Sequence, residues 1–182
     1  MTSLSQGMAG LVLVLAFAQL CTRQLGAVLT LTIAQALAVA VALAAREHWV
    51  AAAIAATTAA ALPMAVSRLR ALHPIPPQAD PPAGVRPALV AAAVLGLLAV
   101  QFPVLGLPLG VVLSGLMLVA TRPHAVMRAL GLSVMQFGSA LAYGSVAPVL
   151  LDPMAIAATL PVVPGLMLAR AFLPLPAGTR RA

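Results

Sequence analysis

From Leu4 onward the chain sets long apolar runs between brief polar or proline-rich interruptions. Each run approaches the ~20 residues that an α-helix needs to cross a ~30 Å hydrocarbon layer, so the pattern predicts membrane-spanning helices. Charges and Pro/Gly punctuation bound seven of them, at 4–21, 25–45, 48–66, 87–104, 107–121, 125–147 and 153–173. Tight turns at Thr22-Arg23-Gln24 and Arg46-Glu47-His48 join the first three. The stretch from Ser67 to Arg86 contains Pro74, Pro76, Pro77, Pro81, Pro82 and Gly84 and is expected to leave both the helix and the hydrocarbon. A corner at Pro103–Pro108 separates the fourth and fifth spans, and the fifth is short.

The text also repeats. Ala53-Ile54-Ala55-Ala56-Thr57 recurs as Ala155-Ile156-Ala157-Ala158-Thr159, with Arg68 falling on Arg170. Thr32-Ile33-Ala34-Gln35 is echoed by Ser133-Val134-Met135-Gln136. Self-similarity of this kind constrains architecture before any single residue does. It predicts an all-α integral membrane protein of about seven transmembrane helices, built as two parallel three-helix repeats joined by one crossing helix. The first repeat occupies 1–68, a Pro-rich loop 69–86, the connecting helix 87–105, the second repeat 106–173 and a tail 174–182. An odd unit of three helices needs that extra crossing if its copy is to keep the same orientation, and parallel repeats of this kind occur in transporters.

Composition agrees with the pattern. Of 182 residues 63% are hydrophobic and only 7% charged, whereas a soluble domain carries about a quarter charged residues and needs them to clothe its surface. Mean hydropathy is +1.10. The net charge of +7 comes from arginines alone. They are scattered between apolar segments without interleaved aromatics, which argues against nucleic acid as a partner. On a seven-span reading Arg23, Arg68, Arg70, Arg86, Arg122, Arg128, Arg170, Arg180 and Arg181 share one side, while Arg46, Glu47 and Asp152 take the other. The positive-inside bias then predicts an outside N-terminus and a cytoplasmic C-terminus in a bacterial inner membrane. Met1–Gln6 lacks a basic n-region, so the first run is expected to be retained as a helix. Cys21 stands alone, which removes a disulfide framework or a redox pair.

Candidate chemistry is sparse. Gln35 and Gln136 fall mid-helix at equivalent repeat positions and are expected to hydrogen-bond between helices or to line a watered cavity. Thr32 and Ser133, and Thr57 and Thr159, can satisfy their hydroxyls on carbonyls one turn back. Thr57 with Thr58 is a candidate polar seam. Gly106, Gly110 and Ser114 form a small-residue ridge suited to close helix packing. Trp49 opens the third span as a headgroup anchor. Pro63 in the third span and Pro161 and Pro164 in the seventh are candidate kinks. His48, His73 and His124 sit on separate loops and are expected to be solvated. No Ser-His-Asp set, P-loop or dinucleotide fingerprint occurs, and three acidic residues cannot cluster around Mg²⁺. No cofactor and no metal are expected, and the chain is expected not to be an enzyme by itself.

Cys21-Thr22-Arg23-Gln24-Leu25-Gly26 leading to Ala34-Gln35, then Trp49 through Leu62-Pro63-Met64, resembles the first half of hydrogenase-4 component E. Ala120-Thr121-Arg122-Pro123-His124-Ala125-Val126-Met127-Arg128-Ala129-Leu130-Gly131, continuing through Met135-Gln136-Phe137-Gly138-Ser139, is similar to its second half. That half resembles in turn the small three-helix subunit K of respiratory complex I and its counterpart in multisubunit cation/proton antiporters. The resemblance covers most of the chain, through loose and largely apolar motifs. It implies a membrane-arm subunit of a complex-I-related hydrogenase or formate-hydrogenlyase assembly, whose partners would be antiporter-like integral subunits and a peripheral hydrogenase arm. It also implies carboxylates near Gln136 and Ala157 and an amine near Thr58, and all three are missing here. Arg46, Glu47, His48, His124 and Asp152 all fall at predicted span ends. Glutamine cannot titrate, so a proton path through this chain alone would have no protonatable station. The expected role is a packing subunit that does not pump protons by itself. The alternative is a small autonomous transporter of a neutral solute, suggested by the duplication and the paired prolines.

Overall fold

The computed structural model describes residues 3–72, 105–122 and 125–146, with scattered positions between Val90 and Phe102. All regular elements among them are α-helices: α1 (Ser3–Cys21), α2 (Leu25–Ala44), α3 (Trp49–Leu72), α4 (Gly106–Thr121) and α5 (Ala125–Val146). Three stretches, Ser3–Cys21, Leu25–Ala44 and Trp49–Arg68, are long and apolar enough to cross a membrane. At 16 residues α4 is shorter, and at a rise of ~1.5 Å per residue it falls short of a full ~30 Å layer. Val90, Ala93, Val94, Gly96, Leu97 and Gln101, inside the predicted fourth span, are helical. A Cβ placed on Gly96 would stand 3.7 Å from the Phe17 ring on α1. The seventh span, the Pro-rich loop beyond Leu72 and the tail lie outside the described residues.

Helix boundaries follow local chemistry. Thr22 ends α1 by donating its hydroxyl to Ala18 O at 2.6 Å, which occupies a carbonyl that the helix leaves open. The end of α2 is a Schellman turn. His48 N–H donates to Leu43 O at 3.0 Å and Glu47 N–H to Ala44 O at 2.9 Å, while Glu47 takes the left-handed φ of 67° that this motif usually gives to glycine. The third helix departs from expectation. It runs through Ser67, Arg68 and Arg70 to Leu72, six residues beyond the predicted end at 66 and past the boundary placed at 68. Arginine breaks an apolar run but favours helix, so charge ended the hydrophobic pattern without ending the helix. Pro63 lies within the continuous α3 and is exposed.

The helices pack as neighbours. α1 lies against α2 and α2 against α3, and α4 and α5 form the most extensive pair. Across the two groups α1 meets α4 and α2 meets α5. The buried core is lined by small side chains, with Ala16, Ala36, Ala51, Ala55 and Ala140 fully enclosed. In lipid no hydrophobic gain separates a helix from its neighbour, so close van der Waals packing of this kind carries the association. A second, smaller core joins Leu25, Val28 and Leu62 to Met127 and Leu130. It puts the start of α2, the later part of α3 and the start of α5 at one end of the bundle. Outward faces remain apolar, with Leu4, Leu11, Val14, Leu37, Trp49, Met64, Leu116 and Leu132 exposed.

Candidate functional site

The polar interior sits between α1 and α2. Gln19, Thr32 and Gln35 are all completely buried. Gln19 Nε2 donates to Gln35 Oε1 at 2.7 Å and to Thr32 Oγ1 at 3.1 Å. Gln35 Nε2 donates across to Val12 O at 3.0 Å, and Thr32 Oγ1 donates to Val28 O at 2.8 Å. The arrangement fixes both amides, because reversing Gln35 would turn its oxygen against the Val12 carbonyl. Gln19 Oε1 is left buried without a hydrogen-bond partner. Such an acceptor carries an unrecovered desolvation cost of roughly 1–3 kcal/mol.

The stretch around Gln136, expected to be equivalent to that around Gln35, does not reproduce this cluster. Gln136 is half-buried on α5, and its Oε1 is enclosed without a partner. Ser133 donates back to Ala129 O at 3.2 Å, four residues earlier, as Thr32 does to Val28 O. Thr57 and Thr58 both donate to Ile54 O at 2.8 Å, but Thr57 is exposed while Thr58 is buried. They therefore do not face one seam. Thr159 lies outside the described residues, as do His73, His124, Pro161 and Pro164. Gly106, Gly110 and Ser114 are buried, and Ser114 Oγ donates to Gly110 O at 2.7 Å.

The closest helix approach uses the neighbouring ridge of α4. A Cβ placed on Gly115 would stand 2.6 Å from Met135 N and 2.7 Å from Gly131 O, and one on Gly138 2.7 Å from Val112 N and 2.8 Å from Pro108 O. Gly115, Gly131 and Gly138 thus bring two backbones into direct contact. The signal for this was present in the seven-residue spacing of Gly131 and Gly138, which places both on one helix face.

Two arginines read from sequence as topological have structural partners. Arg122 is almost wholly buried. Its Nη2 donates to Thr22 O at 2.7 Å, Leu20 O at 3.2 Å and Gln19 O at 3.4 Å, all at the C-terminus of α1. Arg128 Nε in turn donates to Arg122 O at 2.9 Å. At the opposite end Arg46 Nη1 donates to Gly144 O at 2.7 Å, in the last turn of α5. Burial holds the Arg46 guanidinium below the ordinary arginine value, yet arginine remains protonated throughout the pH range proteins tolerate.

His48 corrects an expectation. Far from being solvated, it is buried, because the left-handed turn at Glu47 folds it back toward α5, where Gly144 leaves room. Among the described residues no three His, Cys, Asp or Glu gather as a metal set. The arrangement offers neutral amide and hydroxyl groups and cationic helix caps. No protein-family model, curated protein or solved structure matches the chain.

Proposed function

We propose that this chain is a non-catalytic membrane subunit of a complex-I-related, hydrogenase-type oxidoreductase, packing beside antiporter-like integral subunits. The observation that carries the reading is the polar cluster buried between α1 and α2: it is Gln19, Thr32 and Gln35, none of which changes charge, and among the described residues the buried His48 and Arg122 lie at helix ends. The arginines with cross-helix partners, Arg122 and Arg46, sit where helices end. A proton route needs side chains that can gain and lose a proton inside the hydrocarbon. Exposed apolar side chains on α1–α5 supply surfaces for lipid and for partner helices, and the resemblance to hydrogenase-4 component E supplies the identity of those partners. Seven spans, an outside N-terminus and a cytoplasmic, arginine-rich face belong to the same proposal.

Purification from native membranes in mild detergent tests it. Antiporter-like membrane subunits are expected to co-purify in fixed ratio, and a stable monomer or homodimer lacking them rejects the proposal. The duplicated text of the sequence favours a second reading, a small transporter of a neutral solute. Saturable uptake by the chain reconstituted alone would establish that reading in place of the first.

A further inference from the structure

Each half of the bundle is internally locked. Between α1 and α2 the lock is the Gln19–Gln35–Val12 bridge, and α3 packs against α2. In α4–α5 it is backbone contact through Gly115, Gly131 and Gly138, which admits no added methyl group. The seam between the halves, where α1 meets α4 and α2 meets α5, is packed less extensively than either half is within itself. Among the described residues, polar ties from Arg122 and Arg46 cross it, one at each end, and they are reciprocal. Arg122, just after α4, donates to Leu20 O and Thr22 O at the end of α1. Arg46, just after α2, donates to Gly144 O near the end of α5. Each half therefore sends a cation to the C-terminal carbonyls of a helix in the other. The last four carbonyls of a helix have no partner within it and form the negative end of its dipole.

We propose that Arg122 and Arg46 are two independent end-latches, each closing the seam between the halves at its own end of the bundle. Packed interiors are bistable, so rigid halves part along the less tightly bonded face and not by deforming internally. A charged donor on helix-terminal carbonyls is directional and local, so releasing one latch frees only its own end. Because arginine does not lose its proton near neutral pH, the latches answer to mechanical or ligand-driven movement and not to pH. Either functional reading accommodates them. A fitted subunit keeps both latches shut, and a transporter opens them in turn.

The native thiol reports on one end, since Cys21 is half-buried between Leu20 and Thr22, whose carbonyls accept from Arg122. Half-buried Ser145, beside Gly144, serves the other end as Ser145→Cys in a Cys21→Ser background. Maleimide alkylation of the full chain in native membranes is the measurement. Arg122→Gln is expected to speed modification of Cys21 about tenfold and to leave the Ser145→Cys thiol unchanged, the loss of a charged hydrogen bond being of that order. Arg46→Gln is expected to do the reverse, and Arg122→Lys to preserve the slow rate at Cys21. If both variants speed both thiols alike, the arginines are general stabilisers and the proposal falls, and it falls equally if neither rate moves. Should Arg122→Gln fail to accumulate, the Arg46→Gln arm decides alone: acceleration at Ser145→Cys without acceleration at Cys21 is required.

Discussion

Gln35 was visible as a mid-helix amide, but its partner Gln19 was not, because nothing in linear spacing says which face of α1 turns toward α2. Once packed, the two amides share one strong hydrogen bond at 2.7 Å. Interhelical bonds of this kind contribute modestly in membranes, so Gln35→Leu is expected to destabilise the chain by about 1 kcal/mol. Unfolding in mixed detergent micelles measures it. Adding Gln19→Leu is expected to cost less than the sum of the two single changes, since removing both partners leaves no orphaned amide. Glu47 is a second residue-scale case. Its left-handed φ of 67° costs a side chain with a Cβ roughly 1 kcal/mol, so Glu47→Gly is expected to raise stability by about that amount in the same assay.

At the scale of elements, the hydrophobic pattern located α1, α2, α4 and α5 to within a residue or so of their observed ends. It failed on α3, where Arg68 and Arg70 ended the apolar run and the helix went on to Leu72. Hydrophobicity marks where lipid stops, and only proline or a cap marks where helix stops. The ridge Gly106–Gly110–Ser114 was legible because it repeats at four-residue spacing. The tighter contact at Gly115, Gly131 and Gly138 depends on two helices meeting, which neither sequence stretch declares by itself. Gly115→Ala or Gly138→Ala is expected to destabilise by roughly 1–3 kcal/mol, since the new methyl group must displace backbone atoms. Gly10→Ala, which meets nothing within 4 Å, is expected to be neutral or to stabilise by up to about 1 kcal/mol through helix propensity. Thermal aggregation midpoints of the three variants compared side by side settle the order.

For the whole molecule, the segregation of arginines has a geometric counterpart. Arg122 reaches the turn that holds Arg23, and Arg46 reaches the far end of α5, so among the described residues the turn at Thr22–Gln24 and the turn at Arg46–His48 lie at opposite ends of the bundle. Under the proposed orientation, Glu47→Cys in a Cys21→Ser background is expected to react with an impermeant thiol reagent applied outside intact cells. Cys21 of the parent chain is expected to react only after the membrane is opened. The opposite labelling pattern would invert the topology and with it the assignment of the basic face to the cytoplasm.

What the chain's sequence determined unaided was the helical class with helices apolar enough to cross a membrane, most limits of the described helices and the scarcity of titratable groups, because each follows from composition and short-range periodicity. The tertiary structure decided which polar groups meet. Gln19 finds Gln35, Arg122 leaves its expected place in a basic loop for the end of α1, and His48 turns inward beneath Glu47. Those outcomes depend on how helices are rotated and paired, and rotation is set by contacts between residues far apart in the chain, such as Gly138 against Val112. A linear pattern records that an arginine ends a helix. Only packing shows whose carbonyls it will hold.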